Sequence, residues 1–428
     1  MNFLFFIIVL VFGCLILFGR GERRIELFFL AIIFVPSVIP YPANGINSHR
    51  FFVLLFWASV LLNNELVRYK KNTISLFLIL ILFSYYLTGI NDNRLTLFSK
   101  FWKPTIHFIT EYGLLVLFAA TLFTKKKWDR FHKFIIKICF IVCGYGIITA
   151  LIGVDPYSQG IAYILADKEG CDFTPLGNDR PRICSFLYNS HQYGYFCAVM
   201  TILLTYFYFK NIFSKKEKIC YFTVISGLLL SGSRSSLIAA LIGVLIIIIL
   251  GVKFKKRFRY IIAFILILIP ASQLAFIHRS LESVAVIFSD EGHKQTGSSI
   301  EMRQKQLAIS MSFFSMNPLW GNGFDYYAEV VKPDDTVIKE QGLYGAESYI
   351  FILLIERGII QIVTIFVFFI AFLVTLYRNR RVNRLESAVA MAIFLSFVSV
   401  SITTGNGGKW VFALPFVGIF CNTICSKF

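Results

Sequence analysis

The chain has 428 residues, of which 57% are hydrophobic and only 15% charged, and it includes 47 Phe and 20 Tyr. Soluble globular domains carry about 45–50% apolar and about 25% charged residues, so this composition excludes an ordinary soluble fold. The formal charge of +18 does not argue for nucleic acid, because the basic residues are parcelled out in short clusters between apolar runs.

In chain order, the apolar runs predict membrane-spanning helices near 2–18, 25–40, 50–64, 73–90, 106–124, 134–153, 190–209, 219–232, 235–250, 260–277, 347–376, 387–404 and 409–425. The fold class read from them is all-α, a polytopic integral membrane protein with about 12–14 transmembrane helices. The range reflects the short pair on either side of Arg234, which reads equally as one hairpinned unit. Residues 1–428 then form a single transmembrane domain. The run over 3–18 has no basic stretch before it and no small-residue cleavage site after it, so it is expected to be a retained helix and not a signal peptide. Continuous apolar runs without alternation argue against an outer-membrane barrel.

The odd-numbered connections are short and basic. They hold Arg20, Arg23 and Arg24; Arg68, Lys70 and Lys71; Lys125, Lys126, Lys127, Arg130 and Lys133; Lys210, Lys215, Lys216 and Lys218; Lys253, Lys255, Lys256, Arg257 and Arg259; and Arg378, Arg380, Arg381 and Arg384. By the positive-inside rule these face the cytoplasm, which puts the N-terminus outside and the C-terminus inside. Membrane lipids with anionic headgroups suit the same clusters. No GxxxxGK[ST] loop occurs, and no internal repeat points to an inverted-repeat transporter.

Two even-numbered, outward-facing connections are long: 154–189, and 278–346 between the late helices. The first is rich in Gly and Pro and delivers Arg180 and Arg182 to the start of the next span. Cys171 and Cys184 share it on the oxidising side, and sequence alone leaves their pairing open. His191, in NSHQYG, stands at a helix mouth, where a satisfied polar helix-start residue competes with a binding role. No CxxC or Cys/His cluster suggests a metal.

The second long loop is expected to hold a short helix near 299–316, with Ser298 and Glu301 as a capping box. The period places Ile300, Leu307, Met311 and Phe314 on one face together with Arg303, which would aim Arg303 at whatever the helix packs on. The helix then breaks at Pro318, Gly321 and Gly323, in a turn that carries Trp320. Glu347 and Ser348 follow at the mouth of an apolar run, with Glu356 and Arg357 about two turns deeper. The last pair needs partners or water in such a setting, and ion pairing within the bundle is the competing reading.

Arg234 is the one charge in LLLSGSRSSLIAALIGVLIIII, residues 228–249. It sits in a turn of small polar residues at a membrane face. An arginine that anchors a short hairpin to lipid headgroups would look the same.

Four stretches together resemble the bacterial O-antigen ligase and O-antigen or capsule polymerase superfamily. They are RICSFLYNSHQYGYF, with arginine, small residues, Phe and Asn before a span; GSRSSLIAAL, a Ser-Arg-small-small element; SSIEMRQKQLAISMSFFSMNPLWGNGF, a loop helix ending in Pro-small-Gly-x-Gly; and ESYIFILLIERGIIQI, ending in Glu-x-Gly before a late span. The likeness covers roughly residues 135–405. It implies a membrane glycosyltransferase that works without metal, nucleotide or other cofactor. Its substrates would be oligosaccharide repeat units on undecaprenyl diphosphate, at the outer face of the bacterial cytoplasmic (inner) membrane. A chain-length regulator and a flippase are candidate partners; nucleic acid is not. The ligase branch carries a histidine where this chain has Glu347, which favours polymerisation of O-antigen, capsule or exopolysaccharide. Transfer to lipid A core by a ligase, and a lipid-linked glycan flippase or transporter, are the alternatives.

For that transfer the residues suggest roles. A diphosphate leaving group gathers negative charge, which fixed guanidiniums can meet without a metal. Arg234 and Arg303 are the catalytic candidates for this, with Arg182 and Arg180 beside them. Glu347 is the candidate general base for the acceptor hydroxyl, and Glu356 the alternative. His191, Glu356, Arg357, Tyr349 and Trp320 are candidate substrate-binding residues, although aromatics also serve as interfacial belts.

Overall fold

The computed structural model describes residues 3–19, 21–37, 47–63, 73–120, 125–165, 173–175, 182–262, 300–331, 348–405 and 409–425. Its named helices are α1 (Phe3–Phe18), α2 (Glu22–Phe34), α3 (Ser48–Leu62), α4 (Thr73–Asn91), α5 (Leu97–Glu111), α6 (Gly113–Ala120), α7 (Lys125–Ile152), α8 (Pro156–Leu165), α9 (Ser190–Phe209), α10 (Lys215–Leu230), α11 (Arg234–Ile246), α12 (Ile300–Met316), α13 (Tyr349–Glu356), α14 (Gly358–Asn379), α15 (Arg384–Thr404) and α16 (Trp410–Cys425). A π-helical turn, Ile247–Gly251, prolongs α11. An isolated antiparallel β-bridge pairs Thr174 with Arg182.

This is an all-α polytopic membrane protein. Four helical stretches are long and apolar enough to cross a bilayer: Trp128–Ile152, Arg234–Gly251, Gly358–Asn379 and Arg384–Thr404. Shorter apolar helices stand beside them. Each predicted span with described residues overlaps a helix, although the 25–40 run leaves the helix after Phe34 and the 219–232 run after Leu230; the run at 260–277 lies almost wholly outside the described residues. Two predicted spans are broken. The 106–124 run begins earlier, at Leu97, and divides at Tyr112 into α5 and α6. The 347–376 run divides at Arg357 into α13 and α14.

Local chemistry sets several starts. Asn189 caps α9, its side chain accepting from the backbone N–H of His191 at 2.9 Å and of Gln192 at 3.1 Å. Ser214 and Glu217 form a capping box at α10. The box expected from Ser298 and Glu301 involves a residue outside the described set.

The middle of the molecule is α9, α15 and α16, which are buried almost throughout. Around them pack α6, α7, α10, α11 and α14. The outer helix α14 shows apolar side chains such as Val363 and Phe366 on its free side, as a bundle in lipid requires.

The bundle has two chemically distinct ends. At one, basic connections pair with the few acids there: Arg130 with Glu26 at 2.8 Å, His132 with Glu217 at 3.6 Å and Lys210 with Glu386 at 2.5 Å. At this end Arg384 also donates to the carbonyl of Leu250 at 2.8 Å. The other end gathers the mouths of α9, α11, α12 and α15, where the candidate residues lie.

Candidate active site

The site is built on the turn between α10 and α11. Gly232 takes φ 62°, a left-handed conformation that glycine adopts without strain, and lets the chain reverse. Ser233 Oγ lies 3.3 Å from Ser235 Oγ and 2.9 Å from Ser236 Oγ, so the hydroxyls knit the turn. Arg234 is the first residue of α11. Gly194 of α9 faces this turn, and any side chain there would collide with Ser231 and Ser233. That close approach brings His191 Nδ1 within 3.2 Å of Ser233 Oγ.

Arg182 arrives from the first long loop. It exchanges two backbone hydrogen bonds with Thr174, both 2.9 Å, and the next residue, Ile183, donates to the carbonyl of Leu230 at 3.2 Å. These tethers bring the Arg182 guanidinium within Coulombic reach of Arg234. Two like charges held together raise the affinity of the space between them for an anion.

Arg303 reaches the same end from α12. Its Nη2 donates to the carbonyl of Thr403 at 3.1 Å, at the C-terminus of α15. The adjacent Thr404 Oγ1 lies 3.5 Å from Ser235 Oγ, which ties that terminus to the Arg234 turn. Lys409, in the turn before α16, donates to Thr404 O at 2.8 Å, Thr404 Oγ1 at 2.6 Å and Gly405 O at 2.7 Å. Arg182, Arg234, Arg303, His191 and Lys409 are thus linked around one turn and one helix end.

The face that α12 buries differs from the expected one. Gln306 and Ser310 are buried and Ile309 nearly so, whereas Leu307 is 43% and Met311 46% exposed. Arg303, Gln306, Ser310 and Phe313 lie in one row. Arg303 does point into the protein, but with polar neighbours. In a membrane protein the most apolar face of a helix is not the one that must turn inward.

A second motif pair interlocks below this helix. The α13–α14 break leaves carbonyls and N–H groups that a continuous helix would use. Asn322 N and Gly323 N donate to the carbonyls of Ile355 and Glu356 at 3.4 and 3.0 Å, and Ile359 N donates to Pro318 O at 2.8 Å. Gly358 takes φ 66°, and the two turns pass so closely that a side chain at Gly321 would strike the backbone of Glu356 and Arg357, and one at Gly358 the backbone of Gly321 and Leu319. Asn322 Nδ2 also donates to Phe313 O and Ile355 O, both at 2.8 Å, and so docks the end of α12 onto α13. Trp320 stands partly buried in this turn.

Glu356 and Arg357 are buried in an ion network that sequence reasoning did not reveal. Glu356 Oε1 accepts from Tyr327 N at 3.2 Å, and its Oε2 lies 3.5 Å from Arg357 Nε. Arg357 donates to Glu111 Oε1 at 3.5 Å and lies over the Phe324 ring at 3.9 Å. Glu111 also accepts from Tyr85 Oη at 2.5 Å and Tyr349 Oη at 3.4 Å. His107 Nε2 lies 3.2 Å from Asp325 Oδ2, and Asp325 also faces Lys103 at 3.4 Å and Arg50 at 4.0 Å. Burial alone would raise the Asp325 carboxyl, but the charges of His107, Arg50 and Lys103 hold it well below the usual carboxylate range. Tyr349 belongs to this network. Glu347, Arg180 and Cys171 lie outside the described residues.

Among the described residues no group of three or more His, Cys, Asp and Glu side chains is arranged to hold a metal. Chemically, the cationic rim can bind and stabilise a di-anionic headgroup, while the ion network fixes the loop that carries Arg303. No curated protein matches the chain. Residues 219–366, running from α10 through the Arg234 turn and α12 to the α13–α14 break, match the family model described as O-antigen ligase, which is consistent with the O-antigen ligase and polymerase superfamily.

Proposed function

We propose that the chain is a membrane glycosyltransferase that polymerises undecaprenyl-diphosphate-linked oligosaccharide repeat units into O-antigen, capsule or exopolysaccharide. The observation that carries this reading is the convergence of Arg182, Arg234 and Arg303 on one helix end, together with the family of residues 219–366. Flexible lysines would supply charge; arginines add rigid, bidentate donors suited to phosphate oxygens.

In the reaction, a hydroxyl oxygen of the new lipid-linked unit attacks the anomeric carbon of the growing chain. The bond from that carbon to the phosphate oxygen breaks, and its electron pair leaves with undecaprenyl diphosphate. The arginines meet the charge that builds on the diphosphate. Glu347 takes the hydroxyl proton. A single displacement inverts the anomeric configuration.

Arg234→Lys and Arg303→Lys are each expected to lose polymer laddering on gels although the charge is kept, because the planar fork is lost. Truncation to alanine should cost roughly 10²–10³-fold in rate, the usual cost of one such donor. Membrane protein level is checked in parallel. Normal ladders from both lysine variants would reduce these arginines to headgroup anchors.

The site is assigned to the outer face of the bacterial cytoplasmic membrane, with the N-terminus outside and the C-terminus in the cytoplasm, because the opposite end bears the short basic connections. In intact cells, membrane-impermeant thiol reagents should label cysteines placed at 165 and 335. They should miss cysteines placed within 125–133, 210–218, 253–259 and 378–384. Labelling in the reverse sense would put the site on the wrong face.

A further inference from the structure

Lys409 has a setting unlike that of the other lysines in contact with described residues. Its side chain is buried, the residue being only 2% exposed, and its three donors go to three neutral oxygens on Thr404 and Gly405. Among the described residues no carboxylate lies within ion-pair distance of it. Arg303 sits on the carbonyl of Thr403, so two cations occupy consecutive carbonyls at the end of α15. The helix dipole favours cations there but offsets only part of the cost of burying an ammonium. Among the described residues the charged groups gathered around this helix end are Arg303 from α12, Arg234 from α11, Arg182 from the loop before α9, and His191 when protonated, and none of these is an anion.

We propose that Lys409 is the proton-linked cation of the rim, so that an anionic diphosphate headgroup binds together with one proton taken up on its amine. The inference rests on the proposed reading of the rim as a lipid-diphosphate site. A buried amine whose donors meet only neutral oxygens gives up its proton more readily than an exposed one. A di-anion arriving at the rim supplies the missing counter-charge and draws the proton back. Lys409 acts through its charge while its donors hold the α15 terminus, so it is a positioning and electrostatic residue rather than a group that reacts.

The test uses full-length protein in nanodiscs, with undecaprenyl diphosphate as ligand and undecaprenol as control, from pH 7 to 9. One linked proton makes wild-type affinity fall by up to about tenfold per pH unit over this range. Lys409→Arg stays charged throughout and should lose that fall. Ionisation of the headgroup affects both proteins alike, so the difference between them is the readout. Calorimetry on the wild type in two buffers of unlike ionisation heat should show uptake approaching one proton near pH 8, a result that needs no variant to fold. His191→Gln should retain that uptake. Wild-type binding that depends on Arg234 but takes up no proton would overturn the role of Lys409 alone. So would a Lys409→Arg profile parallel to wild type, or loss of uptake in His191→Gln. Failure of the wild type to prefer the diphosphate over undecaprenol, or undiminished binding by Arg234→Ala, would instead overturn the reading of the rim.

Discussion

Glu347→Gln is expected to insert and fold like the wild type, to bind lipid-linked repeat units, and to make almost no polymer. The substitution keeps size and hydrogen bonding but removes the proton acceptor, and general-base contributions are typically about 10²–10⁴-fold in rate. Glu356→Gln is the informative contrast. Glu356 is buried against Arg357 and accepts from the backbone N–H of Tyr327. Its loss should therefore lower stability and membrane level more than the rate per folded molecule. Purified Glu347→Gln that polymerises at the wild-type rate would remove it as the base, and the opposite pattern in the two variants would exchange their roles.

The second large effect concerns stability. Arg357→Ala should destabilise the protein by about 3–5 kcal/mol, because it strands Glu111 and Glu356 as buried charges without their partner. It also removes the guanidinium from the faces of Phe324 and Tyr85. A fall in the unfolding midpoint in detergent, with membrane level reduced, is the expected measurement. Glu111→Gln combined with Arg357→Met should recover part of the loss, since only Glu356 is then left as a buried carboxylate without its partner. An Arg357→Ala protein as stable as the wild type would mean that the network does not hold the α13–α14 break together.

Much of the fold was legible in the sequence because bilayer thickness imposes long apolar runs, and their basic flanks mark one side. The Arg234 turn was legible too: a single charge among serines between two short runs has few structural uses. Other features depend on tertiary contact. Arg50, His107, Asp325 and Arg357 belong to one network but are scattered along the chain, so no local spacing joins them. The pair His107 and Glu111, four residues apart at the edge of an apolar run, was the available signal. Lys409 reads as the first residue of a span; its burial on three oxygens is a tertiary feature that the sequence does not show. The α12 face was misassigned because hydrophobic periodicity marks the side turned inward in water, whereas here polar Gln306 and Ser310 are the buried ones. The interlock of Gly321 with Gly358 explains why two motifs recur together, which neither stretch reveals by itself.

The central claim is chain growth on a lipid diphosphate, assisted by guanidiniums at the α11 turn. Its most direct test is purified protein in liposomes supplied only with undecaprenyl-diphosphate-linked repeat units. The account predicts a ladder of lengthening glycans with release of undecaprenyl diphosphate, both lost in Arg234→Ala. Absence of any ladder from the wild type, with glycan transferred only when lipid A core is added, would contradict polymerisation and make the chain a ligase.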